Sequence, residues 1–222
     1  MAATTEYRNF EGRAGAIDCA IDLPGGGIEA ARGWALVLHP HPLFGGAREN
    51  KVVTTVARAC VQCGLVAVRP NFRGVGRSAG AFDNGDGEAD DMAALVGQFR
   101  AAHPGPAQGR FVLAGFSFGS AVASHVHARC GPGSGPDLPV AALILLGTAA
   151  SRFTVAEVPA DALVVHGEQD DTVPLAAVLD WARPQSLPVT VIPGAGHFFH
   201  GNLPIVKRLV LARLSQAGLN PL

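Results

Sequence analysis

The chain has 222 residues, a length that suits one domain, residues 1–222, with a substantial core. Its formal net charge is −1, from 17 Lys and Arg against 18 Asp and Glu, and it has no basic tract, so we expect no nucleic-acid partner. The longest apolar run, Val140–Leu146 with its continuation to Ala150, is too short to span a bilayer, so we expect no role at a membrane.

Short apolar runs and helical repeats alternate along the chain. Strands are predicted at residues 13–23, 33–39, 65–68, 111–114, 140–146, 162–166 and 188–192. Helices are predicted at residues 50–63, 88–102, 120–130, 175–181 and 203–217, with a long loop at 71–87 and a flexible connector at 131–139. Several strands are apolar on both faces, which is typical of a mostly parallel sheet covered by helices on each side. In such sheets ligands bind beyond the carboxyl ends of the strands.

The segment Arg110–Cys130 contains a strand, a sharp turn and a helix, with Gly115-Phe116-Ser117-Phe118-Gly119 at the turn. The two glycines suit a turn too tight for a Cβ, and a serine at its apex points its hydroxyl out of the sheet edge. A second G-x-S-x-G match surrounds Ser78, but no apolar strand runs directly into it and no helix follows. The context therefore favours Ser117 as a nucleophile.

Acidic and imidazole side chains follow two later strands. Residues 166–174 contain Asp170 and Asp171, and residues 193–200 contain His197 and His200. A serine, an acid and a histidine in that order, each just past a strand, is the arrangement of a nucleophile–acid–base triad. Taken singly, Asp170 also fits a cap for the helix near Pro174, and the histidines fit ordinary loop residues.

These motifs make the sequence resemble the α/β-hydrolase superfamily, and within it the small, lidless bacterial members similar to dienelactone hydrolases and simple carboxylesterases. The matching segments run from His39 to His200. The resemblance implies an α/β-hydrolase fold with no large cap domain and no cofactor. The family pattern G-E-x-D-x-x-V-P falls on residues 167–174 and selects Asp170 over Asp171. Gly196, directly before His197, selects that histidine over His200.

An oxyanion hole is expected from two backbone N–H groups, one of them on Phe118, directly after the nucleophile. The other belongs to the loop after the strand at 33–39. Pro40 and Pro42 have no N–H, which leaves His41 first and Leu43 second. The family resemblance favours His41.

The substrate site is expected to be open and shallow, because no insertion between the turn at residues 115–119 (the elbow) and residues 166–174 (the acid loop) is long enough for a large helical cap. The residues expected to line it are Leu43, Phe44, Phe116, Phe118 and Phe198. Such a site favours short to medium acyl chains.

Three other readings of the sequence remain open but are less favoured. His39-x-His41 has the residue types of a zinc site but no third ligand at a supporting spacing, so no metal is expected. Residues 74–80 resemble a dinucleotide fingerprint, yet polar residues intervene before the next helix, where a pyrophosphate site needs the helix to open at the glycines. Cys60-x-x-Cys63 is better explained by core packing than by redox chemistry.

The N-terminal residues have neither the basic start nor the apolar stretch of a secretory signal, so we expect a cytoplasmic protein. In that compartment the four cysteines need not form disulfides.

The sequence thus predicts a serine esterase that acts on a small-molecule ester through Ser117, His197 and Asp170. The alternatives are a thioesterase or peptidase with the same triad, and a binding protein that kept the fold without the chemistry. The oligomeric state stays open.

Overall fold

A computed structural model describes residues 4–130 and 138–222 as an eight-stranded sheet with helices on both faces. The strands are β1 (Thr4–Gly12), β2 (Gly15–Leu23), β3 (Gly33–Leu38), β4 (Val66–Pro70), β5 (Arg110–Phe116), β6 (Val140–Leu146), β7 (Leu163–Gly167) and β8 (Val189–Ile192). Their order in the sheet is β1-β2-β4-β3-β5-β6-β7-β8. Only the pairs β1–β2 and β2–β4 are antiparallel, so the expected mostly parallel sheet is confirmed.

The helices are α1 (Lys51–Gln62), α2 (Asp86–Ala102), α3 (Pro104–Ala107), α4 (Phe118–Cys130), α5 (Leu175–Ala182) and α6 (Leu203–Gln216). Two apolar cores lie on opposite faces of the sheet. One face packs against α2, α4 and α5, and the other packs against α1 and α6. Along β5, Phe111 and Leu113 belong to the first core, whereas Val112 and Ala114 belong to the second. This alternation follows from the two-residue period of a strand and explains why both faces are apolar.

β1 was not expected from the sequence. It is an edge strand whose side chains are mostly exposed, and Phe10 is its one buried residue. A strand that buries so little leaves only a weak apolar pattern, so the opening hairpin with β2 is not visible in the sequence.

The start of α2 also differs from the expectation, because the helix begins at Asp86 rather than Glu88. Gly85, with φ 107°, is the residue before the helix, and its N–H donates to Glu88 Oε2 at 2.9 Å. The Glu88 Oε1 atom accepts the Asp83 N–H at 2.9 Å. The glutamate therefore caps the first turn from inside it.

The predicted connector at 131–139 lies outside the described residues over 131–137. Among the helices of the described ranges, none is both long and apolar enough to cross a bilayer.

The parallel strands place the loops that carry chemistry at one edge of the sheet. β3, β5, β6, β7 and β8 run side by side in the same direction, so the loops after them meet. The turn at Ser117 follows β5, which lies near the middle of the eight-stranded sheet.

Candidate active site

Ser117 occupies a strained turn between β5 and α4. Its φ is 55°, in the left-handed region that residues with a side chain seldom adopt. The turn is held by the Ser117 N–H, which donates to Leu146 O at 2.8 Å, and by the Ser120 hydroxyl, which donates to Ser117 O at 2.6 Å. These bonds anchor the turn to β6 on one side and to α4 on the other.

The two glycines of the elbow are required by close approach of backbone to backbone. A Cβ on Gly115 would overlap the carbonyl of Gly119. A Cβ on Gly119 would lie 2.5 Å from the carbonyl oxygens of Leu38 and His39. The start of α4 is thus in direct contact with the start of the loop that follows β3.

The structure brings the three predicted triad residues into one hydrogen-bonded chain. Ser117 Oγ lies 2.9 Å from His197 Nε2, and His197 Nδ1 lies 2.7 Å from Asp170 Oδ2. All three residues are buried, with Ser117 7% exposed. Because a carboxylate only accepts hydrogen bonds, His197 Nδ1 carries the ring proton and donates it to Asp170. His197 Nε2 is then unprotonated and accepts the hydrogen bond of the Ser117 hydroxyl. The arrangement suits proton removal from Ser117.

The Asp170 carboxylate is fixed by further hydrogen bonds. Its Oδ1 accepts the N–H groups of Thr172 at 3.0 Å and Val173 at 2.7 Å. Burial raises the pKa of this carboxyl, but the hydrogen bonds from His197 and Val173 outweigh it, so the net pKa lies below its ordinary value. Asp170 therefore stays ionised while it holds His197.

A second histidine, His166, lies behind the acid and was not assigned a role from the sequence. Its Nε2 lies 3.2 Å from Asp170 Oδ2 and 2.9 Å from Val173 O, so this nitrogen carries the proton. Burial lowers the pKa of His166, which keeps the ring neutral. Nδ1 is buried and has no hydrogen-bond partner among the described residues.

The competing residues lie apart from this chain. Asp171 is exposed, and among the described residues it accepts a hydrogen bond from the Thr172 hydroxyl alone, at 3.3 Å. His200 is exposed, and its ring faces Phe198 with centroids 5.9 Å apart. Ser78 is buried in a loop, where it donates to Asn71 O at 2.8 Å and accepts the Asp18 N–H at 2.9 Å. Its hydroxyl proton is thus engaged in holding that loop.

The loop after β3 is anchored by His39. The ring accepts the Phe72 N–H at Nε2, at 2.9 Å, and Nδ1 lies 2.6 Å from Pro40 O. One nitrogen therefore accepts and the other donates, which fixes a neutral ring. Both nitrogens have these partners, so His39 acts here as a structural residue.

His41 presents a backbone N–H beside the elbow. This group donates to no acceptor within residues 4–130 and 138–222. The competing Leu43 N–H is occupied, because it donates to His41 Nδ1 at 3.2 Å. Phe118 is the first residue of α4, so its N–H has no partner within the helix. Within the described residues, both amides are therefore free to donate to a ligand at Ser117.

A cavity of about 360 Å³ opens over Ser117. It is lined by Pro40, His41, Phe44, Gly45, Gly46, Asn50, Ser117, Arg152, Thr172, His197 and Phe198. Phe44 and Phe198, both expected at the site, are 76% and 46% exposed at this cavity.

Three residues expected to line the site lie elsewhere. Phe116 and Phe118 are each 1% exposed. Phe116 packs into one core, against the His197 ring, and Phe118 packs into the core on the opposite face of the sheet, against the His41 ring. Leu43 is 69% exposed but is not among the residues that line the cavity. The two phenylalanines thus support the imidazoles instead of contacting a ligand.

Several lining residues were missed from the sequence, above all Arg152 and Thr172. Thr172 lies two residues after the acid, inside the motif at residues 167–174, so that motif offered a signal for it. Arg152 lies in the turn after β6, where no local pattern marked it.

Comparisons with known proteins agree with the fold described above. The structure is similar to an α/β serine hydrolase without a lid from Xanthomonas campestris, with 34% identity and a TM-score of 0.83 over 97% of this chain and 96% of that one. It is also similar to an α/β serine hydrolase homologue from Coxiella burnetii, with 36% identity and a TM-score of 0.78 over 96% and 99% of the two chains. An uncharacterised protein of Rickettsia prowazekii is 35% identical over 172 residues, which cover 74% of this chain and 71% of that protein. No family model matches the chain.

The neutral ring of His39 predicts a loss of stability in acid. Burial lowers the pKa of the His39 ring to about 4 in the folded protein. In the unfolded chain the pKa of the same ring is about 6.5. The unfolded state therefore binds more protons between these values, so the free energy of unfolding falls as the pH falls through that range. We expect His39 to account for a loss of about 2 kcal/mol between about pH 7 and about pH 5.

Urea unfolding of the wild type and of His39→Asn at the two pH values measures this loss. The variant should lose about 2 kcal/mol less on acidification, because its amide does not titrate. Equal losses in the two proteins would show that the ring is not held neutral.

Proposed function

This chain belongs to the α/β-hydrolase superfamily, and on that basis we propose that it is a serine esterase that cleaves carboxylic esters of short to medium acyl chain. The observation that carries the proposal is the continuous hydrogen-bonded chain from Ser117 Oγ through His197 to Asp170, at 2.9 and 2.7 Å.

The first half of the reaction forms an acyl-enzyme. Ser117 Oγ attacks the ester carbonyl carbon while His197 Nε2 takes the hydroxyl proton. Negative charge develops on the carbonyl oxygen, and the N–H groups of Phe118 and His41 donate to it. The imidazolium then gives its proton to the departing alkoxide, and the alcohol leaves.

The second half returns the enzyme to its starting state. Water enters as the nucleophile, His197 removes its proton, and the new tetrahedral intermediate releases the acid as the proton returns to Ser117. Throughout, Asp170 fixes the ring and stabilises its protonated form. Its low pKa supports this role, since the carboxylate must remain charged when His197 gains a proton.

The cavity supports the proposed range of acyl chains. Its volume is about 360 Å³, and its apolar walls are the exposed rings of Phe44 and Phe198. Burying each methylene contributes about 0.8 kcal/mol, but only while the chain still contacts these rings. Carbons beyond the cavity gain nothing in the transition state.

Replacing the nucleophile tests the mechanism. Ser117→Ala should lower kcat for 4-nitrophenyl butyrate by roughly 10⁶-fold, to the residual level that the oxyanion hole and substrate binding still provide. Ser78→Ala is the matched control, since it removes the serine hydroxyl of the other G-x-S-x-G match. It should leave kcat per folded molecule nearly intact, and the reverse pattern would refute the assignment.

The chain-length proposal is tested with a series of 4-nitrophenyl esters. We expect kcat/KM to rise from acetate to butyrate and to fall for laurate and palmitate. Phe44→Ala should reduce the gain from acetate to butyrate, whereas Leu43→Ala, on the exposed neighbour outside the cavity, should not. Faster turnover of palmitate than of butyrate would contradict the proposal.

A further inference from the structure

Among the residues that the structure describes, one permanently charged side chain lines the cavity over Ser117. Its lining consists of apolar rings, glycines, neutral polar side chains, two histidines and the guanidinium of Arg152. No carboxylate lines it among the described residues. The two carboxylates adjacent in sequence to lining residues are engaged, Glu49 with Arg48 Nε at 2.8 Å and Asp171 with the Thr172 hydroxyl at 3.3 Å. The ionised Asp170 lies behind the ring of His197 and does not line the cavity, so Arg152 is the charged side chain among the described residues that a ligand there can contact.

The turn after β6 fixes where Arg152 stands. The N–H groups of Arg152 and Phe153 both donate to Ala149 O at 3.1 Å. The Phe153 ring packs against Phe118 and His41, with centroids 4.8 and 5.4 Å away. This anchor holds the base of the Arg152 side chain at the cavity, while the guanidinium remains exposed.

Arg152 differs from the arginines that support the fold. Arg48, Arg69 and Arg213 are buried and paired with carboxylates at 2.6–2.8 Å. Within residues 4–130 and 138–222, Arg152 forms no ion pair. Its guanidinium is thus available to an incoming group.

The charge of Arg152 also reaches the neighbouring imidazole. Burial and then the positive charge of Arg152 lower the pKa of His41. A neutral His41 leaves the guanidinium as the cation on that side of the cavity. A guanidinium donates in a planar fork that matches the two oxygens of a carboxylate.

We propose that Arg152 selects esters that carry a carboxylate of their own, by binding that carboxylate while the ester carbonyl lies at Ser117. This inference rests on the proposed esterase function and names its substrate class. The apolar rings of Phe44 and Phe198 then contact the carbon atoms that link the ester group of the substrate to its carboxylate, or those next to either group. The preferred substrates are half-esters of short dicarboxylic acids or short acyl esters of hydroxy acids.

Two matched substrate pairs test the proposal. Mono(4-nitrophenyl) glutarate is compared with 4-nitrophenyl pentanoate, which places the charge on the acyl side. 4-Acetoxybenzoate is compared with its methyl ester, which places the charge on the alcohol side. For at least one pair, Arg152→Gln should lower the ratio of kcat/KM for the anionic ester to kcat/KM for the neutral ester by about tenfold. This is the low end of the effect expected for a charge-assisted hydrogen bond, because Arg152 is exposed.

A matched control separates local contact from net charge. Arg208→Gln removes the same charge from an exposed position on α6, away from the cavity, and should leave both ratios unchanged. Arg152→Lys should retain part of the preference. Added salt should weaken the preference in the wild type, because an exposed ion pair is screened. Unchanged ratios in Arg152→Gln for both pairs would overturn the proposal.

A binding measurement separates this inference from the proposed function. In a Ser117→Ala background, NMR titration compares monomethyl glutarate and methyl pentanoate with and without Arg152→Gln. Loss of about tenfold in affinity for the anionic ester alone supports the role of Arg152 even if no ester is turned over. If the wild type hydrolyses both members of each pair without a charge preference that depends on Arg152, the esterase stands and the carboxylate site is wrong.

Discussion

The backbone turn at Ser117 is the constraint on which the rest of the site depends. A left-handed φ on a residue with a side chain costs about 1–2 kcal/mol, and the chain accepts that cost only at a place where neighbouring bonds hold it. Those bonds run to Leu146 on β6 and to Ser120 on α4. Gly119 also allows α4 to contact the loop after β3. A single turn therefore fixes the position of Ser117 and of the Phe118 N–H, and it brings the loop that carries the His41 N–H close to both.

The remaining groups are held as firmly as the serine. Asp170 is bonded through both oxygens, and the His197 ring packs against the buried ring of Phe116 and the exposed ring of Phe198, with centroids 5.1 Å away from each. His39 ties the loop after β3 to Phe72, just past β4. A site fixed in this way before substrate arrives needs little rearrangement as charge develops, which is the condition for electrostatic stabilisation of a transition state.

Much of this arrangement was predictable because its signals are local. The spacing of its glycines marks the elbow in the sequence. The acid and the histidine each follow a strand, and these strands end at one edge of the sheet. β1 was missed because it is an exposed edge strand with one buried side chain. Phe116 and Phe118 flank the serine in sequence, but the strand alternation and the first turn of α4 send their rings into opposite cores. Arg152 depends on the folding of the turn after β6, which no short pattern encodes.

The central claim is that His197 and Asp170 make the Ser117 hydroxyl an attacking group. Reaction of the intact protein with a fluorophosphonate, followed by peptide mapping, tests this claim without knowledge of the substrate, since the reagent labels an activated serine. The account predicts one adduct on Ser117, none on Ser78, and loss of labelling in His197→Ala. An unlabelled protein, or an adduct on another serine, would contradict it.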